Sequence, residues 1–352
     1  MSKKKSNASS QHAAHRLRPY LIALLLFALC IGVANLFLLH RHTPSDGEET
    51  VHIPTGSTFD QVVDSLNAHG CLANEALFRS VAVAKRYPSH IKAGCYRIEP
   101  HISATKLLKK LYSGSQDAVH LIINKQRTKQ GLCQHIARHL EMPAAALYDL
   151  LCNDSVCQSL GLTTDNIMTL FVPNTYDVYW NTSPERLLQR MQKESSRFWS
   201  IKRTRQCNEL GLTPQEVYIL ASIVEEETNK NDEKPLVAAV YLNRLRKGML
   251  LQADPTLRYA LGDFTIQRVL NEHKTIASPY NTYMHPGLPP GPICTASIAS
   301  IDAVLANKQV PYLYFCAKED FSGYHAFATT LEEHQRNAHR FHQALNQRKI
   351  YR

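Results

Sequence analysis

The stretch GLTPQEVYILASIVEEET, residues 211–228, decides how the C-terminal part of the chain folds. It opens with a helix start signal: Thr213 is a suitable N-cap, Pro214 suits the first helical position, and Glu216 completes a T-x-x-E capping box. One apolar face then follows at helical spacing, formed by Val217, Leu220, Ala221 and Val224. The sequence therefore predicts a helix that is buried along one side.

The same helix ends in three consecutive acidic residues, Glu225, Glu226 and Glu227. Carboxylates are unfavourable at a helix C-terminus because the helix macrodipole is negative there. A local conflict of this kind is often found at functional sites, although a solvated charged helix end gives the same pattern. The three glutamates are therefore the first candidate functional residues.

Polar and aromatic residues follow this helix in unusual settings. Residues 235–246 predict a second helix, which Gly248 ends. Asn243 lies among apolar residues in this helix. Gln252 lies among apolar residues in the extended run that follows. Residues 277–293, ASPYNTYMHPGLPPGPI, contain five prolines and two glycines in 17 positions, which excludes a helix or a central strand. The aromatic and amide side chains of this loop suit sugar rings, while an ordinary proline-rich loop and a polyproline ligand are the alternatives.

The distribution of charge argues against a nucleic-acid-binding protein. The chain of 352 residues has a formal net charge of +10. Residues 1–18 and residues 336–352 each carry five basic and no acidic residues, so the body between them is neutral. Because a phosphate-binding surface needs a basic body, this class loses its support, and a neutral body suits an uncharged sugar backbone better.

Residues 20–39, YLIALLLFALCIGVANLFLL, contain no charged residue and predict a membrane-spanning helix. Twenty helical residues rise about 30 Å, enough to cross the hydrocarbon core of a bilayer. The basic residues precede the span, which places the N-terminus in the cytoplasm. We expect a cytoplasmic tail at 1–19, an uncleaved anchor at 20–40 and an extracytoplasmic body. A cleaved signal peptide is the alternative and leaves the body in the same compartment.

Eight cysteines follow the predicted span, an even number that permits disulfides in an oxidising compartment. Sequence separation favours Cys71–Cys95 and Cys152–Cys157 as the pairs.

The sequence offers one weak candidate for a metal site. His135 and His139 are spaced i,i+4 near Cys133 and can present three ligands on one helix, but a solvated helix face explains the spacing better. We therefore expect neither a metal nor another cofactor.

The order of predicted elements indicates an α+β protein of several parts. Residues 48–116 read as a small α+β module, and residues 117–210 as a connecting part. The C-terminal domain, 211–345, reads as mixed α/β. The connecting part has a strand at 119–124, two helices within 130–160, a Pro- and aromatic-rich loop at 171–180 and an amphipathic helix at 183–200.

Five motifs, in this order, resemble the YceG-like family, the endolytic murein transglycosylases of the MltG type. The resemblance runs from the membrane anchor to about residue 340. It implies that 48–116 is a LysM-like module and that 211–345 is the catalytic domain. The motifs are ASIVEEET (221–228), VAAVYLNRLRKGMLLQADPT (237–256), SPYNTYMHPGLPPGPI (278–293), PYLYF (311–315) and GYHAFATTLEEH (323–334).

The resemblance places the family's catalytic acid at Glu227, the second glutamate of an E-x-E doublet that begins at Glu225. It implies a lytic transglycosylase that cuts the MurNAc–GlcNAc bond within glycan strands and leaves 1,6-anhydro-MurNAc ends. One carboxyl then serves first as acid and later as base, which calls for a raised pKa. Burial, the helix end and a neighbouring carboxylate such as Glu225 act in that direction. Asn174 replaces an Asp that is usual in the family, and His325 matches a family position at which a structural role is equally expected.

The remaining candidate site residues are polar or aromatic side chains that can hold sugar and acetamide groups, with hydrogen bonding inside the loop and core as the alternative for each. They are Tyr280, Asn281, Asn243, Gln252 and Asp254.

Two other functions stay open. One is a hydrolytic muramidase in which Asp254 is the second carboxylate, and the other is a non-enzymatic glycan-binding scaffold. The resemblance also implies that cleavage of nascent strands ends their elongation, with peptidoglycan synthases (penicillin-binding proteins) as partners. It implies a single-pass protein of the bacterial inner membrane, with its catalytic domain in the periplasm.

Overall fold

A computed structural model describes Leu26, residues 47–266 and residues 268–348 of the chain. Apart from Leu26, the predicted tail and membrane span at 1–40 lie outside the described residues. Among the residues that are described, none of the helices combines the length and the apolar character needed to cross a bilayer.

The chain divides into two compact units. Among the described residues, the first comprises 47–119 with Tyr179–Asn181, and the second comprises His120–Val178 with the described residues from Thr182 onward. Helices predominate in the described part, and its strands form three two-stranded sheets. The α+β class that the sequence predicts is therefore confirmed.

The first unit has the order strand, helix, helix, strand, helix. Its strands β1 (Glu49–Ile53) and β2 (Gly94–Ile98) are antiparallel, with Val51 opposite Tyr96. Val51 and Tyr96 are fully buried and share one core with apolar side chains of the helices, so this unit has a hydrophobic centre of its own. The helices are α1 (Phe59–Ala68), α2 (Glu75–Ala84) and α3 (Ala104–Ser113).

The middle of the chain is helical except for one pair of strands. β3 (Ala118–Ile122) pairs with β4 (Thr175–Tyr179), which corrects the prediction that 171–180 is a loop. Tyr176 and Val178 are buried and their neighbours in β4 are exposed, the alternation of a half-buried strand. The helices of this part are α4 (Lys129–Ala137), α5 (Ala144–Leu151), α6 (Asp154–Ser159), α7 (Pro184–Phe198) and α8 (Ile201–Leu210).

The second unit is centred on two consecutive helices, α9 (Pro214–Glu227) and α10 (Lys234–Arg246), which pack against each other. The predicted capping box at the start of α9 is confirmed. The Thr213 hydroxyl accepts a hydrogen bond from the Glu216 backbone N–H, and the Glu216 carboxylate accepts one from the Thr213 backbone N–H. The elements that follow are α11 (Asp254–Leu261), α12 (Ile298–Leu305), β5 (Tyr314–Ala317), β6 (His325–Ala328) and α13 (Leu331–Gln347).

Helix α9 is buried more completely than the sequence predicts. Every residue from Val217 to Val224 is buried, not only those on one face. Helices α8, α10, α11 and α12 all pack against α9, so the apolar residues on both faces of the helix are enclosed. Because neighbours surround the helix, its last turn is held in one position relative to them.

The cysteines are free in the structure. All eight that lie in the described residues are unbonded, so neither of the predicted pairs, Cys71–Cys95 and Cys152–Cys157, is present. Burial raises the pKa of Cys71 to about 11, so this thiol packs as a small apolar side chain.

The two histidines of the weak metal candidate bind backbone instead. His135 Nε2 lies 2.6 Å from the carbonyl oxygen of Ile122, and His139 Nδ1 lies 3.0 Å from that of His135. The described part of the chain contains no group of three or more side chains arranged to hold a metal ion.

The proline-rich segment 277–293 contains neither helix nor strand, as predicted. It approaches another part of the second unit closely at Gly291. A Cβ atom at this position would lie 2.1 Å from the carbonyl oxygen of Asp165 and 2.8 Å from the Tyr280 hydroxyl. Only glycine therefore allows the loop to reach this position.

We expect Gly291→Ala to destabilise the second unit, because the added methyl group must displace backbone as well as a side chain. Overpacking of this kind costs roughly 1–3 kcal/mol, which lowers the midpoint of thermal unfolding by several degrees. Gly47→Ala is the matched control, since a Cβ atom there meets nothing within 4 Å. Equal midpoints for the two variants would contradict the close approach.

Candidate active site

The last turn of α9 directs three neighbouring glutamates into three different surroundings. Successive residues of a helix are rotated by about 100°, so adjacent side chains reach different neighbours. The structure gives Glu225 and Glu226 cationic partners and gives Glu227 a neutral one.

Glu225 lies in a polar cluster with a buried lysine. Its Oε2 accepts hydrogen bonds from Lys234 Nζ at 3.0 Å and from the hydroxyl groups of Ser297 and Ser300. Burial pushes the pKa of Glu225 upward, but these hydrogen bonds and the charge of Lys234 outweigh it and hold the pKa below its ordinary value. Glu225 is thus a carboxylate, and its role as a tuning neighbour of Glu227 stays a prediction.

Glu226 forms a two-point ion pair. Arg127 donates from Nε to Oε1 at 3.0 Å and from Nη2 to Oε2 at 2.9 Å, and Lys125 Nζ lies 3.3 Å from Oε1. Burial again raises the pKa of Glu226, and the hydrogen bond from Arg127 with the charges of both cations outweighs this and lowers it. Glu226 is therefore also held as a carboxylate.

Glu227 receives a single hydrogen bond among the described residues, from the hydroxyl of Tyr241 to Oε1. Burial raises the pKa of Glu227 to about 7; the Tyr241 hydrogen bond opposes this, the charge of Asp254 adds to it, and those of Arg258 and Arg244 oppose it. A carboxyl group with this pKa is present in both its protonated and its ionised form near neutral pH. It can therefore give a proton in one step and take one back in another.

Asp254, the carboxylate whose charge acts on Glu227, begins helix α11 and is itself held by the proline-rich loop. The hydroxyl of Tyr283 donates to Asp254 Oδ1 at 2.5 Å. Burial and this carboxylate raise the pKa of Tyr283 well above its ordinary value, so the phenol remains a donor. The structure thus brings Asp254 to Glu227 and adds Tyr283, which the sequence analysis did not single out as a site residue.

Tyr241 is the principal site residue that the sequence analysis missed. It lies in the middle of α10 among apolar residues and is 2% exposed, so in the sequence it looks like an ordinary core position. The available signal was its hydroxyl, because a buried tyrosine needs a hydrogen-bond partner. An acidic residue on the neighbouring buried helix is a natural acceptor.

The two candidates from the loop differ in exposure. Asn281 is fully buried: its Nδ2 donates to two backbone carbonyls of the preceding turn at 3.0 and 2.9 Å, and its Oδ1 accepts from the Tyr283 N–H at 3.0 Å. Tyr280 is half-buried, and its ring centroid lies 4.7 Å from that of Tyr259. Asn281 therefore shapes the loop, and sugar binding by either residue stays a prediction.

The candidates Asn243 and Gln252 lie on either side of a buried arginine. Asn243 Nδ2 donates to two backbone carbonyls just before β5, at 2.7 and 3.0 Å. Arg244 donates at 2.7 Å both to the carbonyl before β5 and to the carbonyl before Gln252. Gln252 is exposed, with a left-handed φ of 51° and its N–H bonded to the Thr282 carbonyl at 3.0 Å. These contacts fix backbone around the site, and a role in sugar binding stays a prediction for both.

His325 has a structural partner in the buried residue Glu233. Glu233 accepts from the His325 backbone N–H at 2.7 Å and the Thr228 hydroxyl at 3.1 Å, and its Oε2 lies 2.8 Å from His325 Nδ1. Since Thr228 follows Glu227 directly, Glu233 ties the end of α9 to strand β6.

Known proteins are similar to this chain along most of its length. The profile of the YceG-like family matches residues 51–340. An endolytic murein transglycosylase from Bacillus subtilis (strain 168) is 26% identical over 340 residues, which cover 91% of this chain and 93% of that protein. An endolytic murein transglycosylase from Streptococcus pneumoniae serotype 2 is 27% identical over 91% of this chain, which spans 64% of that protein's length. A crystal structure of a YceG-like protein from Listeria monocytogenes, 26% identical, covers 83% of this chain and 99% of its own with a TM-score of 0.55.

We expect Glu227→Gln to stabilise the protein increasingly as the pH rises from about 4.5 to above 7. The pKa of Glu227 rises from 4.5 to about 7 on folding, so the folded state gains stability from the proton at low pH. This gain is lost as the pH rises through the folded pKa. The neutral amide avoids the cost of the buried charge. Thermal midpoints of both proteins between pH 4.5 and 8.5 test this.

Glu225→Gln is the matched control and has the opposite expected sign. It leaves Lys234, whose side chain is 5% exposed, without its charged partner. Breaking a buried pair in this way costs about 3–5 kcal/mol. Because folding lowers the pKa of Glu225 below its ordinary value of 4.5, this loss develops at lower pH and stays nearly constant between about pH 5.5 and 8.5. A difference between Glu227→Gln and the wild type that does not vary with pH would refute the raised pKa.

Proposed function

The chain belongs to the YceG-like family, and on that premise we propose that it is an endolytic murein transglycosylase. This enzyme is a lyase that cuts the MurNAc–GlcNAc bond within peptidoglycan glycan strands. The observation that carries the proposal is the difference among the three glutamates. Glu225 and Glu226 are neutralised by cations, whereas Glu227 has a neutral partner and a pKa of about 7.

In the first step, Glu227 in its acid form donates its proton to the bridging oxygen. The bond between that oxygen and C1 of MurNAc breaks, and the GlcNAc end departs with a hydroxyl group. Positive charge develops at C1, as in other glycoside cleavages. In this proposal Asp254, whose charge acts on Glu227, stabilises that positive charge.

In the second step, the Glu227 carboxylate takes the proton of the MurNAc 6-hydroxyl. The hydroxyl oxygen attacks C1 and closes the 1,6-anhydro ring, and Glu227 returns to its acid form. Water is neither consumed nor required, so one carboxyl group serves both steps. A pKa near the working pH suits a group that must act in both directions.

We propose that the remaining candidates serve the substrate in two ways. Gln252, which is exposed, and Tyr280, which is half-buried, contact sugar directly. Asn281 and Asn243 hold the backbone that carries such contacts, because their amide groups bond to it. Asp254 acts through its charge.

We also propose that residues 20–40 anchor the protein in the bacterial inner membrane with both units in the periplasm. This places the site beside nascent glycan strands, so that cleavage ends their elongation next to the synthases that make them. The first unit has the order strand, helix, helix, strand, which supports a LysM-like, glycan-binding role for residues 48–116.

Purified glycan strands treated with the wild type should yield products ending in 1,6-anhydro-MurNAc. Glu227→Gln should lose roughly 10²–10⁴-fold in rate, the contribution that general acid–base groups typically make. Mass spectrometry of the products measures both. Glu209→Gln, a change at an exposed glutamate of α8, is the control and should cleave as the wild type does.

Each other outcome of that experiment overturns the proposal in a different way. Free reducing ends would identify a hydrolytic muramidase. An inactive wild type that still binds glycan would identify a scaffold. Full activity of Glu227→Gln would place the catalytic acid elsewhere.

We expect the full chain to stay in the membrane fraction after washes with high salt and alkaline carbonate, because residues 20–39 carry no charge. A variant in which a cleavable signal sequence replaces residues 1–40 should appear in the soluble periplasmic fraction. Immunoblots of the fractions measure both, and release of the wild type by the washes would contradict the anchor.

A further inference from the structure

Glu227 presents its two carboxyl oxygens to different surroundings. Oε1 accepts the hydroxyl of Tyr241, and Oε2 has no hydrogen-bond partner among the described residues. Resting on the proposed function, we propose that Tyr241 is a positioning residue for Glu227. By occupying Oε1, its hydroxyl assigns the transferable proton to Oε2 and prevents the two oxygens from exchanging places.

The hydroxyl of Tyr241 is held in place by the core of the second unit. The residue is 2% exposed and lies within a run of buried residues in α10, the helix that packs on α9. Its ring meets the ring of Phe315 edge to face, with centroids 5.8 Å apart and planes at 90°. A tyrosine has only two side-chain torsions, so this packing fixes its hydroxyl relative to the end of α9.

Tyr241 acts as a donor in both protonation states of Glu227. Burial and the charge of Glu227 raise the pKa of Tyr241 well above 10, so the phenol keeps its proton. Across the described residues, Glu227 is its sole hydrogen-bond partner. If Oε1 carried the acidic proton, that proton would bond to the Tyr241 oxygen and the hydroxyl of Tyr241, a residue only 2% exposed, would have no acceptor, which is unfavourable. A proton on Oε2 keeps the Tyr241 bond and leaves the unbonded O–H on Glu227, a partly exposed residue. The acidic proton therefore belongs on Oε2.

The charged groups around the pair come from two helices and the loop. Asp254 and Arg258 on α11 and Arg244 on α10 act on Glu227, and Glu227, Arg244 and Tyr283 act on Tyr241. The Tyr241 hydrogen bond and the Asp254 charge have opposite effects on Glu227, because the first favours the carboxylate and the second disfavours it. Removing one or the other should move the ionisation of Glu227 in opposite directions.

The test is the pH dependence of glycan cleavage by the full chain. Because the acid form is required, kcat/KM falls above the pKa of Glu227. We call this fall the high-pH limb of the kcat/KM profile. In Tyr241→Phe we expect the limb to move to higher pH by about one unit, the shift expected when a hydrogen bond to a charged group is lost. We also expect kcat on the low-pH plateau to fall roughly tenfold with KM little changed, because orientation of the acid is lost rather than substrate binding.

Two further variants separate positioning from folding. Asp254→Asn should move the limb to lower pH. Incorporation of 3-fluorotyrosine at position 241 keeps the ring and makes the hydroxyl a stronger donor, so it should also move the limb to lower pH. This variant tests the proposal if Tyr241→Phe does not fold. Unchanged limbs in both position-241 variants would overturn the proposal.

Tyr218→Phe is the matched control. Tyr218 is fully buried on α9, donates to the Phe171 carbonyl at 2.7 Å and accepts from the Ala296 N–H at 3.2 Å. Its loss should lower the thermal midpoint without moving the pH limb, so an equal shift in Tyr218→Phe would show that Tyr241 acts only through stability. Full activity of Glu227→Gln in the same assay would instead overturn the proposed function, which keeps the two failures distinct.

Discussion

Three carboxyl groups in consecutive positions at the negative end of a buried helix must each be compensated or protonated, and this constraint organises the second unit. Glu225 is compensated by Lys234, where α10 begins, and by Ser297 and Ser300, where α12 begins. Glu226 is compensated by the segment that carries Lys125 and Arg127. Two segments, one about 100 residues before the glutamates and one about 70 residues after them, thus meet at the last turn of α9. The carboxylates that would destabilise an isolated helix end therefore bind α9 to other segments of the unit.

Among the described residues no cation is bonded to the third carboxyl group, and the proposed acid–base chemistry rests on this difference. If Glu227 had an arginine partner like that of Glu226, it would be ionised at neutral pH and unable to protonate a leaving group. Its partner is instead a tyrosine, a neutral donor that orients the group while leaving the proton on it near neutral pH. The burial of α9 from Val217 to Val224 contributes as well, because burial is the main cause of the raised pKa of Glu227. In the proposed enzyme, the stability that a charged partner would add is given up at this residue for function.

Local features of this site could be predicted from the sequence, and tertiary ones could not. The capping box at Thr213 and the irregular loop at 277–293 depend on neighbouring residues, and both are confirmed. Strand β4 was missed because its alternation spans only five residues and follows a proline and an asparagine. Tyr241 was missed because nothing near it in sequence distinguishes a tyrosine that packs from one that also donates to a carboxyl group on another helix.

The pKa of Glu227 belongs to the assembled unit rather than to its own helix. Burial by neighbouring helices raises it, the α11 residue Asp254 raises it further, and the α10 residues Tyr241 and Arg244 lower it. Any displacement of α10 or α11 relative to α9 alters at least one of these influences, so a carboxyl group poised near neutrality requires rigid neighbours. The bonds that Arg244 makes to backbone on both sides, and the tie from Glu233 to β6, supply that rigidity. Buried polar contacts that do not touch Glu227 therefore support the proposed acid–base chemistry by holding its neighbours in place.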